Sequence, residues 1–332
     1  MATSELDLDG LPVAGVDVGG TKTSIVVTDA RDRTLYEDVV PTDPAALVDQ
    51  IAGLVNDARR HLGGDVAAVG VAIPGHIDAT DGSVRMAVNL GITYLPIGPM
   101  LQARLGVPAF IEHDARAAAL WLSERSVGES DRVPANLAFL AIGTGISAGI
   151  VLDGILLHGE NGLAGEVGHV VADPAGAVCA CGLRGCLETI AAGPGIARQA
   201  DEAIAAGRPT VLSPHPTAAD VFRASAAGDA VSVEIVDRVA AHLARAIRSL
   251  ALTLGVRRVV IGGGVAAAGS ALLEPIRAHI AHERAASPLV EAALGDAILE
   301  LLSPTEAPGA RGVAAIARRR IALPEREGVG ER

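Results

Sequence analysis

Aromatic side chains are scarce in this chain, since Phe, Tyr and Trp together make up 2% of its 332 residues. A core must therefore be built from Ala, Val, Leu and Ile, and hydrophobic residues of all kinds reach 50% of the sequence. A chain of this length buries enough apolar surface for two lobes or domains.

Positive charge is also in short supply, with 27 Lys and Arg against 39 Asp and Glu and a formal net charge of −12. This balance argues against a nucleic-acid-binding surface. It does not exclude a phosphorylated ligand, because backbone amides and a bound cation can hold phosphate. The longest apolar run, about 137–152, is broken by Gly, Thr and Ser and is too short to span a bilayer. The N-terminus lacks the apolar segment of a signal peptide, so we expect a cytoplasmic protein.

Cysteine is rare, and its three copies all lie between Cys179 and Cys186. An odd number so closely spaced favours a metal site in a reducing compartment over a disulfide framework. With His169 upstream, Cys179, Cys181 and Cys186 offer one nitrogen and three sulfurs, a set that suits tetrahedral Zn²⁺. Since protein ligands fill all four positions, the site is predicted to be structural. A loop of free thiols is the alternative.

One pattern, a strand, a glycine turn and a second strand, occurs twice along the chain. In the first copy "VAGVDV" and "TSIVVT" flank Gly19–Gly20, and the second copy is "NLAFLAIGTGISAGIVLDG". Further strands are predicted at "VAAVGVAIPG", "PAFIE" and "VRRVVIGGGV", and helices at 45–62, 231–255, 269–282 and 309–322. The repetition indicates an internally duplicated α/β architecture with a cleft between its lobes.

The first glycine turn, "DVGGTK", carries residues suited to phosphate. Gly19 and Gly20 let backbone N–H groups approach an anion, while Thr21 and Lys22 add a hydroxyl and a cation. Asp17 is placed to hold a Mg²⁺ shell. The turn is not a P-loop, because the GxxxxGK[ST] spacing is absent. Taken alone it fits an ordinary hairpin equally well.

The second turn, "GTGISAG", repeats the design with Gly143, Thr144 and Gly145. Two such turns, each opening a similar block, are better explained as a pair that grips one polyphosphate. A third glycine run at Gly262–Gly264 ends a strand before a helix. It suits a nucleotide base or ribose lying against bare backbone, and simple close packing is the alternative.

The stretch "FIEHDARAAALW" predicts a strand end, a turn and an alanine-rich helix. Asp114 stands between the apolar segments, where a carboxylate is either a general base or a helix N-cap. Glu112 and Arg116, four residues apart, are expected to form an ion pair.

Taken together these motifs resemble the ROK family (repressors, open reading frames, kinases), and within it the bacterial glucokinase-like sugar kinases. The resemblance covers nearly the whole chain and rests on "DVGGTK", "PG", "NL", "HDARAAAL", "GTGISAG", "AGEVGH", "CACGLRGCLE" and "IGGGV". It implies the two-lobed actin-like ATPase (ribonuclease H-like) fold. We therefore expect one lobe from residues 1–115 plus about 305–332, and a larger lobe with the zinc site from 116–304.

The resemblance also implies a role for each matching residue. Asp114 matches the catalytic base, and Gly19–Lys22 and Gly143–Gly145 match the cradle for the phosphates of ATP with Mg²⁺. Gly263 and Gly264 lie where the family holds adenosine. The residues that match sugar contacts are Gly75, Asn89, His113, Asp114, Glu166, His169 and Glu188.

Three positions depart from the family pattern. His113 and Arg116 stand where Asn is common, and Ser147 replaces a usual Gly. The change at His113 bears on substrate choice, because Asn offers two donors and an acceptor, whereas a neutral His offers one of each on a bulkier ring. The change at Ser147 is mild if its φ is negative.

The implied activity is ATP-dependent phosphorylation of a hexose at its 6-hydroxyl, by a homodimer or a pair of dimers. A kinase for N-acetylmannosamine or N-acetylglucosamine is the first alternative, and polyphosphate is a less favoured donor. A sugar-sensing repressor would need a helix-turn-helix, whereas only about ten residues, with a net negative charge, precede the first strand. A non-catalytic sensor is disfavoured by the presence of Asp17, Lys22 and Asp114.

Overall fold

The computed structural model describes residues 10–87, 90–125, 136–303 and 306–322. The chain forms two compact units, each with a five-stranded sheet. The first unit comprises the chain up to Arg125, Gly159–Gly162 and the chain from Ala307. The second comprises the rest.

Among its described residues, the first unit contains seven strands and three α-helices before its C-terminal helix. The strands are β1 (Val13–Val18), β2 (Lys22–Thr28), β3 (Thr34–Pro41), β4 (Val69–Ile73), β5 (His76–Asp78), β6 (Ser83–Met86) and β7 (Ala109–His113). The helices are α1 (Leu47–Leu62), α2 (Ile97–Leu105) and α3 (Asp114–Arg125).

The second unit contains five strands and six helices among the described residues. The strands are β8 (Leu137–Ile142), β9 (Ile146–Leu152), β10 (Ile155–Leu156), β11 (Arg258–Gly262) and β12 (Ile298–Leu301). The helices are α4 (Glu188–Ala191), α5 (Gly193–Ala205), α6 (Ala218–Ala226), α7 (Ala230–Leu254), α8 (Ser270–Ala286) and α9 (Pro288–Leu294). The last described helix, α10 (Pro308–Ala322), belongs to the first unit.

The two large sheets have the same topology. The first has the order β3-β2-β1-β4-β7 and the second β10-β9-β8-β11-β12. In each, an antiparallel meander of three strands is followed by two parallel strands. The internally duplicated α/β core predicted from the sequence is therefore confirmed.

The core of each unit consists almost wholly of aliphatic side chains, as the shortage of aromatic residues requires. The central strand β4 is buried along its whole length, which is typical of a parallel strand covered on both faces. Helix α1 buries its apolar stripe and ends at Gly63, whose φ of 66° provides the left-handed C-cap. In the part of the chain that is described, no helix is long and apolar enough to cross a membrane.

Helix α10 lies directly on the backbone of the first sheet. A Cβ at Gly15 of β1 would overlap the carbonyl oxygen of Ala310, and one at Gly70 of β4 would overlap that of Val313. Gly312 is enclosed in the same way by Ala117 of α3. The helix α3 therefore packs within the first unit, whereas the sequence analysis assigned residues from 116 on to the second.

We predict that Gly15→Ala lowers the free energy of unfolding by at least about 2 kcal/mol, because the new methyl group has only rigid backbone to displace. Gly53→Ala is the control, since Gly53 is exposed in the middle of α1 with open space around its Cβ position. That change should stabilise the protein by about 0.5–1 kcal/mol. Urea denaturation of the three proteins measures both effects, and equal stabilities for wild type and Gly15→Ala would contradict the prediction.

Candidate active site

In the first unit, three candidate segments follow three neighbouring parallel strands. Asp17 of β1 is level with Ala72 of β4, which is level with Glu112 of β7. The glycine hairpin after β1, Gly75 after β4 and Asp114 after β7 therefore lie along one edge of the sheet. The carboxyl ends of parallel strands are where open α/β sheets bind ligands.

Hydrogen bonds hold the first glycine hairpin at Gly19, while the rest of its turn is exposed. The Gly19 N–H donates to the Lys22 carbonyl at 2.9 Å, and the Thr42 hydroxyl donates to the Gly19 carbonyl at 2.7 Å. Thr42 also shares a 3.0 Å hydrogen bond with the hydroxyl of Thr23. Gly20, Thr21 and Lys22 are exposed, so the rim of the turn is available to an anion.

The carboxyl group of Asp17 is enclosed beside this hairpin. A Cβ at Gly309, in the first turn of α10, would lie 2.6 Å from Asp17 Oδ2. Although Asp17 keeps some exposed surface, burial raises its pKa to about 7, the charge of Asp114 adds to the rise and Lys22 opposes it. Asp17 and Asp114 therefore repel each other when both are ionised, as two carboxylates that share a cation would.

The junction of β7 and α3 places Asp114 as the first residue of the helix, with no turn between the two elements. His113, the last residue of β7, directly precedes it. His113 Nδ1 lies 3.2 Å from the Ala115 N–H and 3.0 Å from Asp114 Oδ1. The Ala115 N–H also donates to Asp114 Oδ1 at 2.7 Å, and one third of the Asp114 side chain is exposed.

Gly75 has a φ of 115°, and a Cβ there would overlap the carbonyl oxygen of Met86. This position after β4 accordingly excludes a side chain and leaves bare backbone at the edge of the sheet. Asn89, the other predicted sugar contact of this region, lies outside the described residues.

In the second unit, the hairpin between β8 and β9 is held by a carboxylate. Glu188 Oε2 accepts the Ile146 N–H at 3.0 Å, and a Cβ at Gly145 would lie 2.5 Å from the same oxygen. The Gly193 N–H donates to the Gly143 carbonyl at 2.8 Å. Ser147 lies in β9 and has no positive φ, which meets the condition for a mild change.

The glycine run after β11 packs beside this hairpin. Gly263 has a φ of 86°, and a Cβ there would lie 2.5 Å from the carbonyl oxygen of Ile142. The backbone nitrogen of Gly264 is 3.9 Å from the Cβ position of Gly143. The residues predicted to hold adenosine and those predicted to hold phosphate are thus neighbours.

The "AGEVGH" segment lies on strand β9. The Ala148 N–H donates to the Gly165 carbonyl at 2.7 Å, and Cβ atoms at Gly165 and Gly168 would overlap the carbonyl oxygens of Ala148 and Ile146. Glu166 and His169 project from this segment, with 3.9 Å between Glu166 Oε2 and His169 Nε2. The two predicted sugar contacts therefore share one rigid support.

The four predicted zinc ligands come together. One donor atom from each of His169, Cys179, Cys181 and Cys186 lies within 4.8 Å of the others. His169 Nδ1 is 3.6 Å from the sulfur of Cys179, and the sulfurs of Cys181 and Cys186 are 3.6 Å apart. Such spacings suit the edges of a tetrahedron around Zn²⁺, whose bonds to nitrogen and sulfur are about 2.0–2.3 Å long.

Burial raises the pKa of the Cys186 thiol to about 12 and also raises that of Cys179. The pKa of the Cys181 thiol is lowered, first by its hydrogen bond with the Leu183 backbone. Binding of a metal at this cluster would therefore release protons.

Three supporting residues of the site were not found from the sequence. Thr42 braces the first hairpin although it lies 23 residues from its partner Gly19. The Gly193 N–H donates to the Gly143 carbonyl of the second hairpin, and Gly309 leaves room for the carboxyl group of Asp17. Each contact joins residues that are distant in the chain, so no local pattern signals it.

The duplicated sheets and their glycine hairpins define a two-lobed actin-like ATPase fold. A model of the ROK family matches residues 13–320, and the chain belongs to this family. The fold class and the family resemblance inferred from the sequence are thereby confirmed.

Named relatives are similar to the chain over most of its length. A glucokinase of Halalkalibacterium halodurans is 36% identical over 281 residues, covering 80% of this chain and 84% of that protein. An N-acetylmannosamine kinase of Citrobacter koseri is 34% identical over 274 residues, covering 81% and 89%. A ROK family glucokinase from Streptomyces griseus, solved in complex with glucose and AMPPNP, matches with a TM-score of 0.72 and 28% identity, covering 93% and 99%.

The raised pKa of Asp17 predicts a pH-dependent effect of Asp17→Asn. The fold favours the protonated carboxyl, so this contribution to stability is complete below the ordinary pKa of 3.8 and is lost as the pH rises through about 7. Asn resembles the protonated form at every pH. The free energy of unfolding of the variant minus that of wild type should therefore rise by more than about 1 kcal/mol from pH 5 to pH 8. Urea denaturation without Mg²⁺ or nucleotide measures this gain, and a difference independent of pH would contradict it.

Proposed function

We propose that the protein transfers the γ-phosphoryl group of ATP-Mg²⁺ to the 6-hydroxyl of a hexose, with Asp114 as the general base. One observation carries this proposal: Asp114 directly follows β7, the strand two places from β1 in the same sheet, and is close enough to Asp17 for their charges to interact. A proton acceptor thus stands beside the hairpin that suits phosphate and its cation. The glucokinases among the relatives support the same reaction.

Phosphoryl transfer depends mainly on positioning and on neutralising charge. Asp114 would take the proton from the 6-hydroxyl as that oxygen attacks the γ-phosphorus. The exposed rim of the first hairpin would bind phosphate oxygens through Lys22 and backbone N–H groups. Asp17 would hold the coordination shell of Mg²⁺. The bound Mg²⁺ supplies positive charge against the phosphates.

The sugar hydroxyls are assigned to side chains that the fold already holds firmly. Glu166 and His169 stand on the backbone of β9, while Glu188 keeps one oxygen on the Ile146 N–H. Its second oxygen, Oε1, is the one assigned to a sugar hydroxyl. A buried polar group left unpaired costs about 1–3 kcal/mol, so such a set rejects sugars whose hydroxyls are misplaced.

An amino-sugar kinase is the second candidate, and His113 is the residue that favours it. The side chain of His113 is buried, and its ring replaces the amide that is common in the family. The relative from Citrobacter koseri is an N-acetylmannosamine kinase. A coupled ADP-release assay over glucose, mannose, N-acetylmannosamine and N-acetylglucosamine, run on wild type and His113→Asn, separates the two candidates.

We also assign a structural Zn²⁺ to His169, Cys179, Cys181 and Cys186. The cluster is the only group of three or more metal-binding side chains found in the described part of the chain. The surrounding loop has few buried side chains, so a cross-link would replace the missing core. With four protein ligands the metal has no open position, and it would shape the sugar site without activating water.

Asp114→Asn should retain sugar binding and lose turnover by on the order of 10²-fold or more, because the amide cannot accept the proton. The coupled assay gives kcat, and calorimetry gives the sugar affinity of both proteins. Turnover close to that of wild type would refute the assignment of the base.

Removing zinc with a chelator should lower the unfolding temperature by more than about 5 °C. It should also weaken ATP binding, because Glu188 follows the ligand Cys186 by two residues and holds the second hairpin. Metal analysis, thermal unfolding and nucleotide titration measure the three quantities. A purified protein without zinc that unfolds at the same temperature with and without chelator would refute this site.

A further inference from the structure

Arg116 is a buried arginine that joins two segments of the first unit. Its side chain is 3% exposed, Nε donates to Glu112 Oε1 at 2.7 Å, and Nη1 donates to the carbonyl of Gly162 at 2.7 Å. The same Glu112 oxygen accepts the backbone N–H of His113 at 2.7 Å. A continuous chain of hydrogen bonds thus runs from Gly162 to the backbone beside Asp114.

The series of hydrogen bonds begins at Gly162, in a short segment where the polypeptide returns to the first unit. Gly159–Gly162 belongs to the first unit, although it follows β10 and precedes "AGEVGH" in the second. Gly162 has a φ of 71°, and a Cβ there would lie 3.3 Å from the carbonyl oxygen of Ile77. The segment is thus held between β5 and α3.

The chemistry of Arg116 suits this tether. A guanidinium donates in several directions at once from a rigid plane, whereas a lysine ammonium acts as a point charge on a flexible stem. Removing either partner of a buried ion pair leaves an uncompensated charge. Loss of the pair between Glu112 and Arg116 would therefore also disrupt the tether, which is the hydrogen bond from Arg116 to the Gly162 carbonyl. The described hydrogen bonds of Arg116 and Glu112 join the two side chains to each other, to the Gly162 carbonyl and to the His113 N–H.

We propose that Arg116 is a positioning residue for the sugar. It holds Gly162 in register with Asp114, which lies two residues before it in α3, and its partner Glu112 holds the backbone N–H of His113. The proposal rests on the assigned roles of His113 and Asp114. It predicts that Arg116 governs the affinity for sugar and leaves the affinity for ATP unchanged.

Arg116→Lys is the test variant, because it keeps the positive charge and loses the fork, the planar guanidinium that donates to Glu112 and Gly162 at once. The matched control is Arg277→Lys, since Arg277 also pairs with a glutamate, Glu274, and donates to a backbone carbonyl, that of Leu299. We expect Arg116→Lys to raise the KM for hexose roughly tenfold with an unchanged KM for ATP. The control should change neither value.

Hydrogen exchange measured by mass spectrometry tests the tether without any assay of activity. Peptides covering Gly159–Glu166 should exchange faster in Arg116→Lys and at the wild-type rate in Arg277→Lys. Unchanged exchange, or an unchanged KM for hexose in folded Arg116→Lys, overturns the proposal. If wild type phosphorylates no sugar, the function proposed above fails, and the exchange result still decides on the tether.

Should Arg116→Lys fail to fold, the double variant Glu112→Gln/Arg116→Gln removes both charges together. It should fold, because no buried charge is left unpaired. Loss of the fork predicts the same rise in KM for hexose and the same faster exchange. A double variant with wild-type values for both overturns the proposal.

Discussion

Contacts between bare backbones are the constraint on which the rest of this structure depends. Helix α10 reaches the first sheet only because Gly15 and Gly70 carry no Cβ, and "AGEVGH" reaches β9 only because Gly165 and Gly168 carry none. Gly145 leaves the space that the Glu188 carboxylate occupies. In a protein with few aromatic residues to fill wide gaps, these close approaches bring the segments of the candidate site within hydrogen-bond range of the elements that they pack against. Each site element therefore stands on backbone, which deforms less readily than side chains do.

The carboxyl groups of Asp17 and Asp114 impose a second constraint, because they lie close enough for their charges to interact. Burial raises the pKa of Asp17, and the charge of Asp114 raises it further. Two carboxylates so placed are a poor arrangement for stability and a good one for a kinase, because ATP-Mg²⁺ brings the compensating positive charge. Glu166 and His169 are likewise held in place by the contacts of their segment with β9, and Glu188 by its hydrogen bond with the Ile146 N–H.

Much of the site could be predicted because its signals are local. The two glycine hairpins, the cysteine cluster and the Asp114 stretch each lie within a few consecutive residues, where a turn or a ligand spacing has a direct physical meaning. The expected pair between Glu112 and Arg116 is present for the same reason, since residues four apart share a helix face. The role of His113 could not be predicted in this way. Whether its ring caps α3 or contacts Asp114 depends on the angle at which β7 runs into the helix.

Contacts between distant residues set the limit of the sequence analysis. Thr42 beneath Gly19, Glu188 on Ile146 and Arg116 on Gly162 join positions between 23 and 46 residues apart. By itself the sequence determined the duplicated α/β fold, because the repeated strand–glycine turn–strand pattern encodes it directly, and its motifs determined the family through their resemblance. The zinc ligands and the base stay predictions from ligand spacing and from that resemblance. Only the tertiary structure decided to which unit α3 and Gly159–Gly162 belong. It also decided how Asp17 is enclosed and which contacts hold each hairpin, because these outcomes depend on how elements pack in space.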